Sequence, residues 1–425
     1  MTATDPRTRR TADRPSAPPR GVDLARWPEM APPKPAPLRA AIARTVMRRV
    51  ADRARLRVEL PDGACFGPAD AAVIRILSPD SFFTRLGRDG KIGFGESYMA
   101  GDWDAPDLAA AIEPLARQVG TLIPARLQWL RRWYDAHQPA SEDNDRNGAR
   151  QNIARHYDLS NDLFALFLDE TMTYSSALFA DPSRESLTHA QHRKIDRLLD
   201  QTGVTEGTRL LEIGTGWGEL AIRAAKRGAK VTTITLSVEQ ASLAVDRARA
   251  AGVSDSIEVL LRDYRDVTGT YDAIVSVEMI EAVGEKWWPA YFSTLDARLA
   301  PGGRIGIQAI VMPHDRMLAS RRSWTWIHKY IFPGGLLPSV RAIEEIVGAD
   351  TTLQIADQLS FGQSYAETLA RWRESFEAHA RDVEALGFDD TFRRMWTFYL
   401  AYCQGGFAAG YLDVVQLLLT RGATP

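Results

Sequence analysis

From Gly203 onward, short apolar runs alternate with stretches in which apolar positions recur every three or four residues. The runs at 209–213, 230–235, 257–261, 273–277 and 304–310 predict β-strands. The stretches at 219–226, 238–250 and 287–299 predict helices. Strand–helix alternation at this spacing predicts a doubly wound, Rossmann-like α/β sheet, parallel, with helices on both faces. Ligands of such sheets sit at the carboxyl ends of the strands. A helical stretch over 149–168 opens this unit, and an insertion rich in aromatics and glycine occupies about 312–350. Two long helical stretches, 363–385 and 391–420, are expected to close the chain.

Upstream the pattern changes. Leu56, Val58 and Leu60 alternate with polar residues, and Ala72, Val73, Ile74 and Ile76 make a second apolar run. A smaller mixed α/β domain over 38–140 is expected, ending in helices, one of which contains Leu127, Trp129, Leu130 and Trp133. Residues 141–148 carry no apolar side chain and read as the linker to a catalytic unit over 149–425. Residues 1–37 hold nine prolines and scattered arginines. They bury too little apolar surface to offset their ordering entropy and are expected to be disordered. From Leu38 a helix begins, with Ile42, Val46, Met47 and Val50 on one stripe and Arg44, Arg48, Arg49, Arg53 and Arg55 mostly elsewhere. Either it packs on its domain with a solvated arginine face, or it lies on an anionic membrane.

Composition narrows the class. With 425 residues, two folded units are expected. A formal net charge of −2 gives no reason to expect nucleic acid. Cys65 and Cys403 form neither a metal spacing nor a disulfide framework, which fits a reducing compartment. No apolar run reaches the length of a membrane span or of a secretory signal core, so a cytoplasmic enzyme with peripheral membrane contact is expected.

The strongest local signal is Leu211-Glu212-Ile213-Gly214-Thr215-Gly216-Trp217-Gly218, which follows an apolar strand and opens a helix. Glycines there let backbone approach a ligand, but dinucleotide sites use them too. Here the spacing is G-x-G-x-G, with Glu212 before the first glycine. A carboxylate at that point suits a cation and repels a pyrophosphate, which favours S-adenosylmethionine (SAM), a sulfonium. After the second strand Thr235, Ser237 and Gln240 are candidates for the ribose or amino-acid end of the cofactor. After the third, Asp263 and Tyr264 are candidates to hydrogen-bond and stack on adenine.

Several further motifs appear in order: His156-Tyr157-Asp158-Leu159-Ser160, Thr173-Tyr174-Ser175-Ser176, Ser276-Val277-Glu278-Met279-Ile280-Glu281-Ala282-Val283-Gly284, and Trp326-Ile327-His328-Lys329-Tyr330-Ile331-Phe332-Pro333. With the glycine loop, Thr235–Gln240 and Asp263–Asp266, they resemble the cyclopropane-fatty-acyl-phospholipid synthase family over about residues 85–420. The resemblance implies methyl transfer from SAM to a cis double bond of a phospholipid acyl chain. It implies that Tyr157, Tyr174 and Ser175 line the SAM pocket beside Gly214, Gly216, Gln240, Asp263 and Tyr264. It further implies a bicarbonate ion as proton acceptor, held at the positions of Ser176, Glu281, Gln308, Ile310 and Tyr365, and a homodimer. Ser176 stands where many members have cysteine and Gln308 where many have histidine. The resemblance gives neighbouring Glu278 no catalytic role. No metal is implied.

An alkene that attacks a sulfonium methyl leaves a carbocation, so the site must exclude water and supply a base. Proton loss from the new methyl closes a cyclopropane ring; a hydride shift before that loss gives a methylene branch, which a reductase would saturate. Ser176 and Gln308 favour the methylene outcome, because a bicarbonate ion would be held differently from a Cys/His site. The aromatics Trp324, Trp326, Tyr330 and Phe332 suit an acyl tunnel or ordinary core. Two other readings stay open: a SAM methyltransferase of a soluble small molecule, and a SAM- or lipid-binding protein without chemistry.

Overall fold

The computed structural model describes residues 21–118, 160–321 and 323–422. Near the N-terminus, α1 (Pro37–Ala54) leads into β1 (Leu56–Glu59), β2 (Cys65–Phe66) and β3 (Ala72–Ile76). Then come α2 (Pro79–Met99), β4 (Trp103–Asp104) and α3 (Leu108–Gln118). The four strands pair in the order β2-β1-β3-β4, with β1 and β3 parallel. Pattern and structure agree that this is a small mixed layer. The predicted linker 141–148, the helix around Trp129 and Tyr157 lie outside the described residues.

The large sheet follows α4 (Asn161–Ala165) and α5 (Leu187–Gln201). Alternation runs through β5 (Arg209–Ile213), α6 (Glu219–Lys226), β6 (Lys230–Thr235), α7 (Val238–Ala250), β7 (Ile257–Leu261) and β8 (Tyr271–Val277). Next are α8 (Ile280–Val283), α9 (Trp288–Arg298) and β9 (Leu299–Val311). The insertion folds as α10 (His314–Ser320), α11 (Trp326–Tyr330) and α12 (Val340–Asp350). The chain finishes with β10 (Leu353–Ser360), α13 (Gly362–Ala378), α14 (Ala380–Ala385), α15 (Asp390–Ala408) and β11 (Asp413–Arg421). The seven strands run β10-β11-β9-β8-β5-β6-β7, parallel from β9 to β7. Order reverses between β5 and β8, which opens a crevice at the strands' carboxyl ends.

Two elements depart from the pattern. The stretch 391–420 is not one helix: α15 stops before Gly410, which takes φ +67°, and the chain returns as β11, antiparallel to both β9 and β10. Val414-Val415-Gln416-Leu417 is buried on both sides of the sheet, so its apolar run lacks the alternation of a half-exposed strand. Strand β10, at the sheet edge with mostly exposed side chains, has only Leu353, Ile355 and Leu359 as inward apolar positions, too few for the pattern to mark it.

The tail also differs. Residues 22–36, expected to lack structure, fold back over α2, with Met30 buried. Arg85, itself buried, donates to the carbonyls of Glu29, Met30 and Ala31 at 2.6–2.8 Å and pairs with Asp102 at 3.0 Å. Those bonds hold a proline-rich segment that has few apolar anchors of its own. The α1 stripe splits: Met47 turns inward with Ala43, Ala51 and Ala54, while Leu38, Ile42 and Val46 are 75%, 56% and 49% exposed.

The N-terminal layer shares one core with the C-terminal helices, from Phe82 and Trp103 to Trp396 and Phe398. Trp326 fits against Gly95, where a side-chain carbon would come within 2.5 Å of the indole. Lys329 and Tyr330 both bond Glu96, at 2.6 and 2.9 Å. Trp326 and Tyr330 therefore pack onto α2 rather than forming a channel wall. Arg394 of α15 donates to the carbonyls of Tyr98 and Trp103, tying the two parts further.

Candidate active site

The loop after β5 is built for close approach. Gly214, Gly216 and Gly218 all take positive φ, at +96°, +52° and +91°. A side chain at Gly214 would strike Met279 at 2.7 Å, whereas nothing lies within 4 Å of the corresponding point at Gly216. The loop thus packs its first glycine on the β8 turn and leaves its second facing open space. Beside it lies a cavity of about 140 Å³, walled by the ends of β5, β6 and β8 and by 172–175.

Most predicted cofactor residues converge there: Tyr174, Ser175, Glu212, Gly214, Gly216, Trp217, Thr235, Gln240, Asp263 and Tyr264 line the cavity. Gly218 and Ser237 do not. Gly218 packs against Ala244, and Ser237 caps α7 by accepting from the Gln240 amide at 3.2 Å. Glu212 is buried and accepts from Thr233 Oγ1 at 2.6 Å; burial pushes its carboxyl up to about 8. A cation entering the cavity would draw it back toward the charged form. Thr235 donates to Gln240 Oε1 at 2.9 Å, fixing that amide. Asp263 is held by Arg265 at 2.6 and 2.8 Å, so its carboxylate is already paired. Trp217 donates to Asn161 at 2.8 Å, and the Tyr174 and Tyr399 hydroxyls meet at 2.6 Å.

The cavity wall also carries unmatched polar atoms. Thr173 Oγ1 and the Tyr264 hydroxyl are buried with no protein partner. Orphaned polar atoms at a cavity wall call for a ligand that bonds them. A methyl donor with a sulfonium, an amino-acid end and an adenosine fits this set: a carboxyl for the cation, an amide and hydroxyls for the polar ends, and an aromatic ring at Tyr264.

On the far side of the β8 turn the expected reaction residues gather around a residue given no role from sequence. Glu278, half-buried, sits at φ +50°, a conformation costly for most residues other than glycine. Its Oε1 accepts from the Ser176 amide and from Gln308 Nε2, each at 2.9 Å, and its Oε2 from the Tyr365 hydroxyl at 3.0 Å. Glu278 also lines the cavity. Burial pushes its carboxyl up, while Lys194, Gln308, the Ser176 amide and Tyr365 pull it back toward ionisation. Glu281, at the start of α8, accepts from the Ile310 amide through Oε1, and its Oε2 has no partner. Burial, then the neighbouring Glu278 charge, pushes Glu281 up to about 8.

Two more residues support the cluster. Lys194 is fully buried, donates to Ser175 Oγ at 2.7 Å, and is pushed down to about 8 by burial. Gln416 of β11 donates to Gln308 Oε1 at 3.0 Å, so the Gln308 amide turns its nitrogen to Glu278. Gln416 is fixed in turn by Arg197 at 2.8 Å. A lone glutamine inside Val414–Leu419 was the available signal for it, since a buried amide demands partners.

A doubly wound sheet, a glycine turn beside a buried acid, and a cavity with unmatched polar atoms define an S-adenosylmethionine-dependent methyltransferase. The chain belongs to the mycolic acid cyclopropane synthetase family, whose profile matches residues 144–417. It is 52% identical over 426 residues to the tuberculostearic acid methyltransferase UfaA1 of Mycobacterium tuberculosis, covering 98% of this chain and 99% of that one. It is 35% identical over 357 residues to the cyclopropane-fatty-acyl-phospholipid synthase of Escherichia coli, covering 84% and 88%. Among solved structures, the cyclopropane synthase MmaA2 of Mycobacterium tuberculosis superposes with a TM-score of 0.59 at 31% identity, over 64% of this chain and 97% of that one. The mycolic acid cyclopropane synthase CmaA1, complexed with SAH and CTAB, gives 0.59 at 31%, over 66% and 98%.

Proposed function

We propose that the enzyme transfers the SAM methyl group to the cis double bond of an unsaturated phospholipid acyl chain and releases a methylene-branched chain. The observation that carries this reading is the continuity between the cofactor cavity and the acidic cluster: Glu278 lines the one and bonds Ser176, Gln308 and Tyr365 of the other. Bound SAM supplies an electrophilic methyl at the turn. The chain's part is to hold the alkene dry and to remove a proton. Tyr174, stacked on Trp372, and the buried rings of Phe164 and Trp217 keep water from the cavity wall. Two adjacent carboxylates driven apart in proton affinity divide the work. Three donors draw Glu278 toward the charged form against its burial, and Glu281, pushed up to about 8, holds the proton.

The relative at 52% identity is named for methyl transfer to a fatty acid rather than for ring closure, which supports the methylene branch. A separate reductase would then saturate that branch. The acyl substrate lies in a membrane, and no helix among the described residues is long and apolar enough to cross one. The exposed Leu38, Ile42 and Val46 stripe of α1, flanked by Arg39, Arg48 and Arg49, suits peripheral attachment to an anionic bilayer.

The test is to incubate the enzyme with vesicles of oleoyl phospholipid and methyl-labelled SAM, then record the lipid by mass spectrometry and proton NMR. Vinylic methylene protons are expected. Cyclopropane protons at high field would contradict the methylene product, and label recovered only in soluble compounds would contradict the lipid substrate.

A further inference from the structure

Partly desolvating a carboxylate and seating it on a strained backbone are both costly, and half-buried Glu278 combines the two. We propose that Glu278 is the proton acceptor of the reaction, a base built into the chain at the place where resemblance alone expects a bicarbonate ion. The inference rests on the acyl-chain methylation proposed for the site.

The hydrogen-bond geometry accounts for every position expected around that ion. The Ser176 amide, Gln308 Nε2 and the Tyr365 hydroxyl all donate to Glu278, and the Ile310 amide donates to Glu281. A free anion would find these donors engaged and the Glu278 carboxylate already in their midst, an arrangement that repels negative charge. Gln308 cannot turn to meet it, because Gln416 fixes its oxygen. The carboxylate of Glu278 is itself a planar oxyanion with donors on both oxygens, and so needs no exogenous one. Met279, the next residue, packs on Gly214, which sets the carboxylate close to the glycine turn where the methyl donor binds.

The chemistry balances without another reagent. The alkene π pair forms a bond to the methyl carbon as the carbon–sulfur bond breaks, leaving a carbocation on the acyl chain. The hydrogen on the methyl-bearing carbon then shifts with its electron pair to the adjacent cationic carbon, which leaves the positive charge on the methyl-bearing carbon itself. One C–H bond of the new methyl then gives its proton to Glu278, and its electron pair becomes the methylene double bond. A proton beside a carbocation is so acidic that a weak, partly desolvated carboxylate suffices. The other role for Glu278 would be structural, a hydrogen-bonded tie among β8, β9, α13 and the 176 segment. In that role its charge and basicity would not matter.

The experiment uses the full-length enzyme, SAM and dioleoyl phosphatidylglycerol vesicles in buffer stripped of carbon dioxide, with and without added bicarbonate. Three forms are compared: native, Glu278→Gln and Glu278→Gly, the last relieving the positive φ while opening space for an ion. SAM binding by calorimetry and thermal melts report folding. The native enzyme is expected to methylate lipid equally well, within about two-fold, in both buffers. Both variants are expected to lose about 100-fold or more in stripped buffer while still binding SAM, and bicarbonate is expected to restore part of the Glu278→Gly rate. Several-fold stimulation of the native enzyme by bicarbonate would overturn the proposal. So would either variant at the native rate in stripped buffer, or a folded, SAM-binding Glu278→Gly that ignores bicarbonate. A native enzyme that binds SAM yet labels no lipid removes the methylation reading, and this inference with it.

Discussion

Two carboxyls three residues apart, Glu281 buried and Glu278 half-buried, share little solvation. At neutral pH the cheaper arrangement is one charge and one proton. Burial pushes Glu278 up, while the Lys194 charge and three donors draw it back toward the charged form; Glu281, pushed up to about 8 by burial and the Glu278 charge, keeps its proton. An unfolded glutamate ionises near its ordinary value, so from about pH 4.5 to 8 the unfolded chain gains a charge that folded Glu281 resists. Stability is therefore lost as pH rises across that window and levels off above it. Glu281→Gln removes the penalty while keeping an oxygen for the Ile310 amide. At pH 8 the variant is expected to be more stable than the native protein by on the order of 2 kcal/mol, and equally stable near pH 4. Its turnover is expected to fall at least about 100-fold with SAM affinity unchanged. Denaturant melts at the two pH values and steady-state rates check both halves; near-native turnover would remove Glu281 from the reaction.

At the scale of elements, legibility followed burial. Strands β5 to β9 and helices α6, α7 and α9 were visible in the sequence because each buries one face or a short run bounded by turns. Strand β11 was not, because a central strand buried on both faces loses its alternation and reads like helix. The glycine turn was legible for a local reason, three glycines at fixed spacing after a strand. The hub at Glu278 was not, because its partners come from 102, 30 and 87 residues away along the chain. Helix α1 makes the reverse case: its apolar residues were visible, but which of them face outward depends on packing. Leu38, Ile42 and Val46 recur at every fourth position on the outer side. Replacing Ile42 and Val46 with serine is expected to weaken binding to anionic vesicles about ten-fold or more without lowering the melting temperature. Co-sedimentation at low and high salt measures it. Unchanged binding would free α1 of that role.

Across the whole molecule, the N-terminal layer shares one core with the C-terminal helices α13 and α15, which reaches the large sheet at Val414 of β11. Arg394, Trp326 and Lys329 reach from the catalytic part onto α2. The surface that carries the α1 stripe is thus rigidly related to the sheet whose strand ends form the cavity. In this arrangement the enzyme takes one hydrogen from the methyl group it delivers, which ordinary methylation of oxygen or nitrogen never does. Supplying SAM with a trideuterated methyl and weighing the lipid product tests that directly. The product is expected to retain two of the three deuterons, both on the new carbon. A lipid that keeps all three would contradict this mechanism.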